Sequence, residues 1–172
     1  MSNISRPARG FPTARIEHCG GGLPVEVSLV ARLGHGAGDD LFRQTGKRQH
    51  GQAGFIDALD EPSASIAATD FARGETTALF SFAVGPEGHP FHRHAGHRVF
   101  TAVSGSGGAR LCFSSASQAS MQAPPAAFVD ALHHVDIPPD CPFTVRAGGG
   151  TWHRFMPLEQ GHPALFALSC HT

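Results

Sequence analysis

Tyrosine is absent from these 172 residues, tryptophan occurs once, and Asp, Glu, Lys and Arg together make up 16%, against roughly one quarter in ordinary soluble domains. The few charges nearly cancel, 13 basic against 14 acidic, for a formal net charge of −1 and a sequence pI near 6.9. Without a basic field to attract phosphates, nucleic acid is not expected as a partner. The longest apolar stretch, Thr77 to Val84, falls far short of a membrane span, so no membrane partner is expected either. The amino-terminal residues carry positive charge with no apolar region behind it, unlike a secretory signal. Cys19, Cys112, Cys141 and Cys170 are widely spaced and form no Cys-x-x-Cys, which argues against a disulfide framework or a thiolate metal site and fits reduced thiols in the cytoplasm. A Gly-x-Ser-x-Gly elbow, a dinucleotide fingerprint and a His-Glu-x-x-His helix are also missing, which removes three common enzyme chemistries.

What the chain does have is short β-type runs divided by Gly, Pro, Asp and Ser: Val25–Ala31, Gly54–Leu59, Ser65–Phe71, Thr76–Val84, Arg98–Val103, Ala109–Ser114, Phe128–Ile137, Pro142–Ala147, Trp152–Met156 and Ala164–Cys170. About ten short strands in one domain's length predict an all-β sandwich or barrel. Only Asp39–Gln44 reads as helical, and Ser114–Ala127 reads as a loop insertion. Residues 1–24 are polar, rich in Gly, Pro and Arg, and form an expected amino-terminal arm, with a single domain over residues 25–172.

Histidine is over-represented, with 12 residues, of which His89, His92, His94 and His97 fall within nine positions. His92 and His94 have the spacing of neighbours on one face of a strand, as two ligands of one metal require. In the run Val129, Ala131, His133, Val135, Ile137 the same-parity residues are apolar, so His133 is expected to face inward, either as an acid/base group or as a core histidine satisfied by backbone. Phe91, Phe100 and Trp152 are candidates to line an apolar pocket, or are plain core.

The stretch from Pro90 to Gly105 resembles the first motif of the cupin superfamily, a His-x-His followed by a glutamate and then a glycine. His92, His94 and Gly105 match at the family spacing, and Arg98 stands at the glutamate position. The second motif, Pro-x-Gly-x-x-His, is similar to Gly148–His153, matching at Gly150 and His153; the alternative placement on Ile137–Pro142 would put Phe143 at the ligand position. The resemblance implies a double-stranded β-helix, the jelly-roll barrel of the cupins, with extra amino-terminal strands. It implies His92, His94 and His153 as metal ligands, with His97 a candidate fourth.

Arg98 has no lone pair to give a metal, so the departure leaves either a three-histidine site or a site that has lost its metal. Beside such a metal, Arg98 would hold an anionic ligand; the plainer alternative is a surface strand residue. Three-histidine cupins include iron-dependent dioxygenases, and a neutral triad favours an anionic small molecule in the open positions. Imidazole suits Fe(II), Zn, Ni and Cu alike, so the expected cofactor is a divalent transition metal. The resemblance also implies a homodimer, and the lack of tyrosine sets the chain apart from cupin-type sugar epimerases that pair a histidine base with a tyrosine acid.

Overall fold

The computed structural model describes residues 12–18, 22–56, 62–67, 78–116 and 125–171. Over these, the chain runs β1 (Thr13–Ile16), β2 (Val25–Leu29), α1 (Ala37–His50), β3 (Phe55–Ile56), β4 (Ser63–Ala67), β5 (Ala78–Val84), β6 (Arg98–Ser104), β7 (Ala109–Ser114), α2 (Pro125–Asp130), β8 (Leu132–Ile137), β9 (Pro142–Ala147), β10 (Trp152–Pro157) and β11 (Leu165–His171). Among the described residues no helix is long and apolar enough to cross a membrane.

Two antiparallel sheets face each other. The larger has the order β1-β2-β9-β6-β11-β5-β4-β3, and the smaller β10-β7-β8. The segment around His92 extends the smaller sheet at its β10 edge: the amide of His89 donates to the Phe155 carbonyl, and His92 and His153 exchange both backbone bonds, at 3.1 and 2.9 Å. Stripped of the four amino-terminal strands, β9-β6-β11-β5 therefore faces a four-membered layer made of the His92 segment, β10, β7 and β8. This all-β arrangement is the cupin-type double-sheet barrel that the two motifs imply. The amino-terminal strands do not form a third layer; β1 and β2 widen the larger sheet beyond β9, and β3 and β4 widen it beyond β5.

Strand alternation sorts the side chains. On β6, Arg98, Phe100, Ala102 and Ser104 are buried between the sheets while Val99 and Thr101 face outward, as the period of two demands. Facing them are Leu111 and Phe113 of β7 and Phe155 of β10, with Phe82, Phe143, Val145, Ile137 and Leu165 completing the core. Phe100 is its hub, with ring centroids 5.3 Å from Phe82 and 5.6 Å from Phe155. Such offset and edge contacts stabilise beyond simple burial.

Three expectations about the elements change. Thr13–Ile16 lies within the expected arm yet pairs with β2 from Thr13↔Ser28 to Ile16↔Val25; the rest of the arm before residue 12 lies outside the described residues, as does the middle of the expected Ser114–Ala127 loop. The strand expected from Phe128 starts at Leu132, because Pro125 opens a short helix, a position where its missing N–H costs nothing. The one or two helical turns expected at Asp39–Gln44 lie within a fourteen-residue helix. Its weak local propensity, with Gly38, Thr45 and Gly46 in its span, is offset by docking on the outer face of the larger sheet. There Gln49, only 2% exposed, donates to the Ser81 carbonyl and hydroxyl, each at 3.1 Å. At the other end the buried Asp140 carboxylate accepts the amides of Gly36 at 3.1 Å and Gly38 at 2.7 Å, serving as a cap supplied from a hundred residues away.

Candidate functional site

The site forms where the chain crosses from one sheet to the other. His92 and His94 belong to the edge of the smaller sheet, the turn Ala95–His97 leaves it, and Arg98 begins β6 in the larger sheet. The facing turn, Gly148–Gly150, is held against it by the Gly150 amide donating to the His94 carbonyl at 2.7 Å. A Cβ on Gly149 would collide with the Ala95 carbonyl, so the glycine-rich sequence before His153 serves this close approach.

His92, His94 and His153 each offer a ring nitrogen, and these three atoms lie within 4.8 Å of one another. His92 and His94 are half-buried and His153 is 5% exposed. The Nδ1–H of His153 donates to the Thr151 carbonyl at 3.1 Å and that of His92 to the Pro90 carbonyl at 3.2 Å. Fixing the proton on Nδ1 leaves the Nε2 lone pair for a ligand, the arrangement that metal-bound histidines use. By donor type, number and tautomer, the residues therefore fit a divalent transition metal, without selecting which one.

Arg98 is not a surface residue. It is 5% exposed and points into the barrel. Nε donates to Ser169 Oγ at 3.1 Å, and the guanidinium carbon lies 4.3 Å from the centre of the Phe82 ring, a stacking that suits its weakly hydrated planar head. Nη1 lies 2.8 Å from His94 Nε2 and 3.2 Å from His153 Nε2. Since guanidinium only donates, both imidazole nitrogens accept, and the lone pairs that would bind a metal converge on a cation that the protein itself carries. Beside it, lined by His94, Arg98, Phe100, Phe113, Thr151, His153 and Phe155, remains a cavity of about 10 Å³, room for about one water. A dication about 4 Å from a guanidinium would be repelled by about 8 kcal/mol at an effective dielectric of 20.

The other sequence candidates lie apart. His97 is exposed and accepts the Gly149 amide through Nδ1 at 3.1 Å, outside the cluster. His133 has the inward parity, paired across from Phe113, but it sits at the open end of β8, is exposed, and lies 3.3 Å from Ser115 Oγ through Nε2; it is neither core nor part of the cavity. Of the aromatic candidates only Phe100 lines the cavity. Phe91 and Trp152 are on the outer face of the smaller sheet, both packed on Phe128, with the Arg93 guanidinium 5.2 Å above the Trp152 ring.

Sequence reasoning missed three groups. His89 is 3% exposed beneath the triad, its ring centre 4.5 Å from that of His92; its Nδ1–H donates to the Pro90 carbonyl at 2.9 Å and its Nε2 accepts the Phe155 amide at 3.3 Å, so it props the ligand rings. Ser169 fixes Arg98, and its inward parity with Leu165 and Ala167 was the available signal. His18 is half-buried and reaches Thr151 Oγ1 at 3.1 Å, which brings the residues just after β1 to the rim of the site.

No family model matches the chain, and no curated protein matches it. Among solved structures, a glutamate-to-histidine variant of 2-hydroxyethylphosphonate dioxygenase is similar over 69% of this chain at 13% identity, with a TM-score of 0.47. This chain spans 22% of that protein's length. A sugar phosphate isomerase from a cupin superfamily of Silicibacter pomeroyi DSS-3 is similar over 69% of this chain and 68% of its own, at 14% identity and a TM-score of 0.32. Likenesses this distant decide nothing about activity, and the assignment rests on the chain itself: two facing antiparallel sheets, with both histidine motifs meeting at one end of the gap between them, make this a cupin-fold protein.

Proposed function

We propose that this chain is a small metal-binding cupin, a non-haem metal-dependent oxygenase that acts on an anionic small molecule. His92, His94 and His153 hold the metal in this reading, and Arg98 meets the anion. The observation that carries it is the convergence of three imidazole nitrogens within 4.8 Å, with the rings of His92 and His153 oriented by backbone carbonyls. A bound divalent metal supplies Lewis acidity and, if it is iron, access to dioxygen. The chain's own part is to orient the ligand rings through Pro90 and Thr151, to exclude bulk water with Phe100, Phe113 and Phe155, and to supply a fixed positive charge at Arg98 for a carboxylate, enolate or thiolate.

The test is metal analysis of untagged protein, followed by oxygen uptake with Fe(II) restored against a panel of thiols, diketones and phenolic acids. Stoichiometric metal in the wild type, lost in His92→Ala, His94→Ala and His153→Ala, together with uptake on one substrate class, is the expected result. Wild type and alanine variants that all lack metal after reconstitution would sink the reading. A second reading, a non-catalytic ligand- or metal-sensing cupin, is favoured by one observation: with Arg98 seated on the triad, the cavity of about 10 Å³ admits no organic substrate. Ligand binding without turnover across the panel would select it.

A further inference from the structure

We propose that Arg98 is a resident competitor for the metal, so that this cupin loads a divalent ion tightly only together with an anion that takes over the guanidinium. The inference deepens the metal-site reading and rests on it.

The lone pairs of the site are already engaged. Arg98 Nη1 sits in the wedge between His94 Nε2 and His153 Nε2, at 2.8 and 3.2 Å. A transition metal bound to both nitrogens at about 2.1 Å would occupy the same wedge. The two cations cannot share it. Nor does solvent screen them, since Arg98 and His153 are each 5% exposed and buried charges interact more strongly than those in water. Arg98 is also held from behind, by Ser169 Oγ on Nε and by the Phe82 face, so its present position is a built one.

Among the described residues, two arrangements satisfy the charges at the wedge. In one, Arg98 alone fills the wedge, as observed. In the other, the metal takes the lone pairs and an anion lies between it and a displaced guanidinium, pairing with both. Metal and anion then favour each other's binding through one side chain, and linkage makes that coupling reciprocal.

Co(II) is the probe, titrated into the untagged full chain by calorimetry and followed by its visible absorption. Arg98→Met removes the charge and the donors while keeping the unbranched stem, and should bind Co(II) at least 100-fold more tightly than wild type. Arg98→Lys keeps the charge and should stay within about tenfold of wild type. Ser169→Ala, which releases the anchor, should gain several-fold. Replacing perchlorate by acetate at equal ionic strength should tighten Co(II) binding to wild type at least tenfold and leave Arg98→Met unchanged.

If wild type and Arg98→Met bind Co(II) equally well, or acetate has no effect on wild type, the competition is refuted while the triad stands as a metal site. If Arg98→Met folds, by circular dichroism, yet binds no Co(II), the metal-site reading itself fails and takes the inference with it. Should Arg98→Met fail to fold, Arg98→Gln and Ser169→Ala give the same comparison.

Discussion

Strand β6 carries a buried charge-bearing cluster at each end, and the two are built on opposite plans. At its Ser104 end lies Asp140, a carboxylate met by the fixed amides of Gly36 and Gly38 and by the Ser106 hydroxyl at 2.7 Å. At its Arg98 end lies a cation met by two imidazole nitrogens, one hydroxyl and an aromatic face. The first charge is held by backbone that cannot leave without unwinding α1. The second is held by lone pairs that can serve another cation equally well, next to a small void. The first cluster therefore reads as architecture and the second as a site, although both are buried polar groups of similar exposure.

The largest difference should appear on deleting each charge. Asp140→Ala strands two amides and a hydroxyl and should cost about 3 kcal/mol or more, read by urea unfolding, with Co(II) binding unaltered. Arg98→Met exchanges a buried ion for apolar volume and should cost less than about 1.5 kcal/mol; equal losses in the two variants would erase the contrast. A smaller effect is expected at Gly38. In an ordinary helix Gly→Ala would add about 1 kcal/mol of stability, but here the new Cβ meets the Ser104 carbonyl. Gly38→Ala should therefore lose about 1–2 kcal/mol, and a stabilised variant would show that α1 is not pinned there.

The smallest effect is in the pH profile. Burial pushes the Asp140 carboxyl up, but the Ser106 hydroxyl, the amides of Gly38 and Gly36 and the charge of His35 together hold it below its ordinary value. A depressed carboxyl contributes stability that is present above the ordinary carboxylate range and lost as pH falls through the folded value. The hydrogen bond that the His162 Nδ1–H donates to the Asp39 carboxylate at 2.7 Å raises His162 above its ordinary value, so its contribution is full below that ordinary value and lost as pH rises through the folded one. Thermal melts should thus decline at both limits, with Asp140→Ala flattening the acid limb and His162→Ala the alkaline one. An unchanged acid limb in Asp140→Ala would place the titration elsewhere.

The sequence made the strands legible because alternation and turn residues are local signals: Ala109–Ser114 and Pro142–Ala147 fall where expected. The three ligand candidates were legible as two motifs, yet the inward course of Arg98 was not, although it shares parity with Phe100, Ala102 and Ser104. An arginine in a core goes against every local preference; what reconciles it is Ser169, Phe82 and His153, which only the tertiary fold brings near. The full length of α1 was hidden for the same reason, since its cap and its docking surface are distant in the chain. His133 shares the inward parity of its partner Phe113, yet among the described residues nothing buries it at the end of β8.

The chain crosses between the sheets in the short span from His94 to Arg98. The 2.8 Å bond between those two side chains therefore ties the rim of one sheet to the first residue of a strand in the other, and works as a latch on the mouth of the barrel. Any widening of that mouth would stretch this bond, so the His94 nitrogen and the start of β6 answer to the same displacement.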